Sequence, residues 1–207
     1  MKDLNYKNFR IGVIISLVCA SVIFSVSYLY GKNNLFLLLN NDLGIVADYI
    51  FNFFSYMGDG LLWLPLLIYF IYKEGKKSLP FLISCFTLIT IFTQAFKYLI
   101  VPDELRPSSA ITDHIIHTVK GVTVFTTASF PSGHSATAFA FYLIFCLVFK
   151  NNSWLIIGLL YALAVGYSRI YLGQHFPFDV AGGIVVAIIS VILSLLIQNR
   201  INNRKTS

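Results

Sequence analysis

Three polar islands interrupt an otherwise apolar chain, and their residue types are those of reaction chemistry. The first runs from Ser168 to Asp179 and sets Arg169, His175 and Asp179 between two strongly apolar segments. The second is Pro131-Ser132-Gly133-His134, and the third is Lys97 followed by Arg106-Pro107. Ionisable groups are costly near a bilayer and mark functional sites there by default. His175 and Asp179 stand four residues apart. With a helix starting near Pro177, a favoured first-turn residue, the carboxylate reaches back to the imidazole just ahead of it. A carboxylate bonded to one ring nitrogen sets the tautomer and leaves the other nitrogen as a nucleophile or base. Ser132-Gly133-His134 opens another helix, where backbone N–H groups and the helix dipole favour an anion. Lys97, Arg106 and Arg169 set three cations against one carboxylate. Surplus positive charge, a helix N-terminus and two histidines describe a site for a phosphoryl group.

Taken singly, these signals have ordinary explanations. A lone interfacial histidine is usually a hydrogen-bonded structural residue, and a lone arginine near a span end usually snorkels. Their coincidence at one membrane depth is what points to a site. His114 and His117 read as solvated loop residues, with a place in the pocket wall left open. A metal is not expected: no second carboxylate stands near His175, and the cations would repel a divalent ion.

The elements that must position these groups are transmembrane helices. The chain is 57% hydrophobic and only 12% charged, where a soluble domain carries about a quarter charged residues. Long charge-free runs cover Ile11–Tyr30, Ser78–Phe96, Ser135–Phe149, Ser153–Ser168 and Val180–Gln198. About 20 apolar residues cross the hydrocarbon core as a helix. A weaker sixth run lies around Gly58–Tyr72, so the expected fold is all-α, a membrane bundle of six helices in one domain over residues 1–207. Ile11–Tyr30 reads as a retained span, because it exceeds the apolar core of a signal peptide and lacks a convincing cleavage site.

The net charge of +6 is a topology signal and does not indicate a nucleic-acid partner. An inside N-terminus puts Lys2, Lys7, Arg10, Lys73, Lys76, Lys77, Lys150, Arg200, Arg204 and Lys205 on the cytoplasmic face. Lys32, Lys97, Arg106, Lys120 and Arg169 fall on the other, a ten-to-five split that follows the positive-inside rule. Alternation of spans then brings all three islands to the outer face of the cell membrane. Cys19, Cys85 and Cys146 lie in apolar runs and offer neither a disulfide framework nor metal spacing.

Three further segments carry expectations. Leu43–Met57 is aromatic-rich and reads either as a helix lying at the outer interface or as the first half of a long bent second span. Val101–Phe130 is too long for a plain connection and reads as a lid or a wall of the site. Gly158, Ala162 and Gly166, and likewise Gly183 with Ala187, recur every four residues, the spacing at which small residues let helices approach closely in lipid.

The ordered set Lys97-x8-Arg106-Pro107, Pro131-Ser132-Gly133-His134 and Ser168-Arg169-x5-His175-x3-Asp179 resembles the three-part signature of the type 2 phosphatidic-acid phosphatase superfamily. The second and third parts match fully. The first departs, with eight residues between lysine and arginine where the family usually has six. The resemblance implies six helices and a metal-independent, cofactor-free hydrolysis of a lipid phosphate. In it His175 would form a phosphohistidine, Asp179 would orient it, and His134 would protonate the leaving oxygen. Lys97, Arg106, Ser132, the Gly133 N–H and Arg169 would hold the phosphate. Undecaprenyl diphosphate is the first expectation among substrates, with phosphatidylglycerol phosphate, phosphatidic acid and lipid A phosphates open. A phosphotransferase passing phosphate to a second lipid is one alternative. An anion transporter is another, although transport usually places its polar groups near the midplane of repeated halves, and these islands cluster at one face.

Overall fold

The computed structural model describes residues 4–204; Lys2 and Lys205, two of the charges assigned to the cytoplasmic face, lie outside the described residues. Among the described residues the fold is entirely helical. Its helices are α1 (Tyr6–Tyr30), α2 (Lys32–Leu39), α3 (Ile45–Tyr56), α4 (Trp63–Glu74), α5 (Leu79–Ala95), α6 (Pro107–Ala110), α7 (Gly133–Val148), α8 (Ser153–Tyr171) and α9 (Pro177–Arg204). Side chains explain several boundaries. Asn5 Oδ1 accepts from Asn8 N at 3.1 Å to start α1, Ser132 caps α7, and Pro177 opens α9, where its missing N–H costs nothing.

By length and composition, four helical stretches among the described residues can cross a membrane: Tyr6–Tyr30, Gly60–Ile100, Ser153–Tyr171 and Pro177–Arg204. Six spans were expected, and two features bear on the difference. The 41-residue stretch contains both α4 and α5, parted at Gly75, whose φ of 70° suits glycine alone. Beyond that turn the chain doubles back, so that Trp63 of α4 meets Phe86 of α5 at 5.8 Å. The other feature is α7, which is apolar but only 16 residues long. It runs through the centre of the bundle, with Phe139, Tyr142, Leu143 and Leu147 fully enclosed, and a helix sheathed by its neighbours need not match the bilayer thickness itself. The outer helices show the opposite burial pattern. Ile14, Leu17, Val18 and Val22 of α1 are exposed, as a lipid-facing surface requires and a water-facing one would not tolerate as a large patch.

The helix ends fall into two groups. At one end Asn5 N donates to Leu147 O at 2.7 Å, Asn8 to Asn152 at 3.1 Å, and Phe81 N to Gln198 Oε1 at 3.1 Å. At the other end lie α2, α3, the start of α7, the end of α8 and the start of α9. Small residues set the spacing between these helices. A Cβ on Gly183 of α9 would lie 2.5 Å from Ser132 O, so this glycine is what lets α9 pass against the cap of α7. Gly158 and Gly166 of α8 likewise face Tyr142 and Val180.

α3 resolves the two readings of Leu43–Met57. It is a helix of its own, separated from α4 by the turn at Met57–Asp59 and a 3₁₀ turn over Gly60–Leu62. Phe51 packs against Tyr167 at 5.0 Å and Tyr171 at 4.7 Å on α8, while Tyr49, Phe53 and Tyr56 are exposed. The long segment after α5 is a wall stitched at its base. Arg106 N donates to Thr126 O at 2.9 Å and Ser129 N to Glu104 O at 3.1 Å, which closes the loop onto itself beside α9.

Candidate active site

His175 sits in the short turn between α8 and α9, 2% exposed. The turn is held in place by Arg169, whose carbonyl accepts from Gln174 N at 2.9 Å and His175 N at 3.1 Å. One helical turn on, Asp179 Oδ2 lies 3.3 Å from His175 Nδ1. That oxygen also accepts from Phe176 N at 2.9 Å and from Ser129 Oγ at 2.5 Å. Three donors on one oxygen leave the carboxylate little freedom to rotate away. The Nδ1–H of the imidazole therefore points at Asp179, and its Nε2 lone pair faces Arg106 Nη1 at 3.5 Å. Burial first, then Arg106, Lys97 and Arg169, hold the His175 pKa well below its ordinary value. This favours the neutral form of the imidazole.

Arg106 reaches this nitrogen because its own fork is anchored. Its Nε donates to Thr127 O at 2.9 Å and its Nη1 to Gln174 O at 3.0 Å, while the guanidinium lies over the Phe125 ring at 5.2 Å. Arg169 enters from α8 and donates through Nη1 to Ser55 Oγ of α3. Its Nε is buried with no hydrogen-bond partner among the described residues. An unmade bond of this kind costs about 1–3 kcal/mol unless a bound group supplies the acceptor.

The start of α7 supplies the remaining groups. Ser132 N donates to Asp179 O at 3.0 Å, which ties this helix cap directly to the His175–Asp179 pair. A Cβ on Gly133 would meet nothing within 4 Å, so the backbone there borders open space. His134 is half-buried and within electrostatic reach of Arg169, Lys97 and Arg106. Lys97 lies in a π-helical turn over Phe96–Ile100, closed by Val101 N donating to Phe96 O at 2.9 Å. Such a turn takes up an extra residue within a helix, which absorbs part of the long Lys97–Arg106 spacing. Lys97 remains within electrostatic reach of Arg106, Asp179 and Arg169. All eight residues expected from the sequence thus converge at one end of the bundle.

The sequence profile of the PAP2 superfamily matches residues 79–203, which is more than half the chain and includes all three islands. The chain belongs to the PAP2 superfamily. An undecaprenyl-diphosphatase from Sulfolobus acidocaldarius is 28% identical over 150 residues, covering 72% of this chain and 69% of that protein. The crystal structure of Aquifex aeolicus LpxE superposes with a TM-score of 0.67 at 33% identity, covering 78% of this chain and 92% of that one. A transmembrane PAP2-type phosphatidylglycerolphosphate phosphatase from Bacillus subtilis shares the fold, with a TM-score of 0.59 at 23% identity over 95% of this chain and 96% of that one. This chain is therefore a membrane-embedded PAP2 phosphatase.

Within this PAP2 fold, sequence reasoning passed over several supporting residues. Ser129, Gln174 and Ser55 bond Asp179, Arg106 and Arg169 as described above. None sits at a motif spacing, so nothing in the chain singles them out. His117 also departs from its expected role. It is not solvated: its side chain is 12% exposed, with Nε2 3.1 Å from Asp48 Oδ1 and its ring 4.7 Å from that of Tyr171. Asn40 braces the same spot, accepting from His117 N at 2.7 Å and donating to Ile170 O and Tyr171 O at 2.9 Å each. His114 does face solvent, with 58% of its side chain exposed. Asp42, Asp48 and His117 bring possible metal-ligand atoms within 4.8 Å of one another. Asp48 is already engaged there by His117 and by Tyr171 OH at 2.6 Å.

Proposed function

We propose that this chain hydrolyses a lipid phosphate or diphosphate, undecaprenyl diphosphate first among them, through a phosphohistidine intermediate and without a metal. The observation that carries the reading is the buried His175 imidazole, held by Asp179 on one nitrogen and facing Arg106 with the other. In the first step His175 Nε2 bonds to phosphorus, the bond from phosphorus to the leaving oxygen breaks, and His134 passes its proton to that oxygen. In the second step the oxygen of a water bonds to phosphorus and the P–N bond breaks. His134 takes the water's proton, and inorganic phosphate leaves.

Lys97, Arg106, Ser132, the Gly133 N–H and Arg169 hold the non-bridging oxygens. The unpartnered Arg169 Nε is a donor waiting for one of them. Three fixed cations carry the transition-state charge that Mg²⁺ carries in kinases. A lipid substrate is supported by the site's position at the ends of apolar helices, where an amphiphile can enter sideways. The choice of undecaprenyl diphosphate follows the name of the Sulfolobus relative.

We read the chain as one domain over residues 1–207 with six passes, taking α4 and α5 as separate crossings and α7 as the sheathed central one. The charge split supports cytoplasmic termini and a site at the outer, periplasmic face of the inner membrane. The test is free-phosphate release from purified protein in excess EDTA, over undecaprenyl diphosphate, phosphatidylglycerol phosphate, phosphatidic acid and lipid A phosphates. Release is expected throughout, fastest from undecaprenyl diphosphate, and vanadate should inhibit as a mimic of pentacoordinate phosphorus. Release that needs added Mg²⁺ would refute the metal-free mechanism. Phosphate passed only to a second lipid would make the protein a phosphotransferase, and no release from any lipid phosphate would refute the function.

A further inference from the structure

We infer that the cavity between α4, α7 and α8 is the binding site for the hydrocarbon chain of the substrate. The inference rests on the mechanism above, because the displacement is in-line. His175 and the leaving oxygen must lie on opposite sides of phosphorus, so the leaving oxygen sits beside His134. The lipid is attached to that oxygen, and its chain has to emerge on the His134 side.

A path for it runs from that histidine. Residues seven and eleven positions along an α-helix return to within about 20° of the same face, so Phe141 and Phe145 lie below His134 on α7. Both line a cavity of about 450 Å³, together with Leu66 of α4 and Tyr161 of α8. This volume lies in the range of small-molecule sites, and its walls are hydrocarbon and aromatic throughout. Met57 also lines the cavity, pinned by Tyr161 OH donating to its carbonyl at 2.5 Å. The next residue, Gly58, packs directly on the histidine: a Cβ there would lie 3.2 Å from His134 Cβ. A single close-packed residue therefore separates the cavity from the site. Phe145 lies about 16 Å down the axis from His134, close to the depth of one leaflet's hydrocarbon. A chain whose headgroup is at the site would follow this groove to mid-membrane.

Two other apolar cavities flank α9 and provide internal controls. One, of about 280 Å³, lies between α1, α5 and α9 and is lined by Ile189. Ile157 lines the proposed groove. Both isoleucines are partly exposed, at 55% and 44%, so tryptophan at either position adds bulk without disturbing the core. The measurement is the ratio of kcat/KM for a long-chain lipid phosphate to that for p-nitrophenyl phosphate. Ile157→Trp, by displacing roughly two methylenes from the groove, should lower this ratio about tenfold, and Ile189→Trp should not. An unchanged ratio in Ile157→Trp, or a fall in Ile189→Trp alone, would overturn the inference.

A second measurement does not depend on turnover. A lipid phosphate with a diazirine midway along its chain should crosslink to Phe141, Phe145 or Tyr161 in the full-length protein. The corresponding alcohol, lacking phosphate, should not. Labelling around Ile189, or equal labelling by the alcohol, would show that the groove holds only bulk lipid. Absence of phosphate release from any lipid by the unaltered protein would instead count against the proposed function, so the two failures are told apart.

Discussion

Asp179→Asn isolates the electrostatic work of the carboxylate, because the substitution keeps the side chain's shape and removes its charge. When His175 Nε2 bonds to phosphorus, positive charge develops on the imidazole, whose Nδ1 lies 3.3 Å from Asp179 Oδ2. At an effective dielectric of about 20, a full charge at that distance is worth about 5 kcal/mol. Each ~1.4 kcal/mol is tenfold in rate, so complete loss of this stabilisation would slow the step by between three and four orders of magnitude. The charge is partial in the transition state and the amide oxygen still accepts a hydrogen bond. The expected fall in kcat is therefore about 10²–10³-fold. KM should change little, since the carboxylate acts on the nucleophile and not on the bound lipid. The assay is steady-state phosphate release at saturating substrate, paired with rapid quenching to follow the acid-labile phosphoenzyme, whose formation should be the slowed step. A loss of kcat under tenfold, or a defect confined to KM, would refute the assignment of Asp179 to the nucleophile.

Three other outcomes are expected. His134→Ala should slow hydrolysis of a lipid monoester by about 10²–10⁴-fold but affect p-nitrophenyl phosphate far less, because that leaving group departs with little protonation; equal defects on both would remove His134 as the acid. The His175 pKa is held low by burial, so its contribution to stability is full above about pH 6.5 and is lost as pH falls below that value, where the unfolded imidazole takes up a proton. Melting temperatures measured down that range should fall more steeply for the wild type than for His175→Gln, and parallel slopes would contradict the neutral buried imidazole. In a cysteine-free background, Asp113→Cys should be labelled from outside and Lys76→Cys should not, the latter chosen because Gly75 has a φ of 70° that resists a side chain; the reverse pattern would move the site to the cytoplasm.

The hydropathy runs and the spacing of the polar islands determine much of this protein without reference to its fold. A helix that crosses a bilayer alternates its ends between two faces, so marking the spans also marks which termini share a face. For that reason Lys97, Ser132, His134, Arg169, His175 and Asp179 could be brought to one end of the bundle from the chain alone. The four-residue step from His175 to Asp179 needed only the geometry of one helix, and Gly183 was legible as a packing residue because small-residue spacing is periodic. What the tertiary structure decided is the set of contacts that periodicity does not encode. The sequence left α3 open between two readings, since an aromatic-rich run suits both an interfacial helix and a bent span; the turn at Met57–Asp59 and the packing of Phe51 on α8 settle it. His117 was misjudged because its loop looks polar, yet Asn40 and Asp48, more than 60 residues away, bury it against Tyr171. Ser129 on Asp179, Gln174 on Arg106 and Ser55 on Arg169 are of the same kind. Each is a polar group meeting a partner whose position depends on where a loop closes, and loop closure is fixed by long-range packing, not by local propensity.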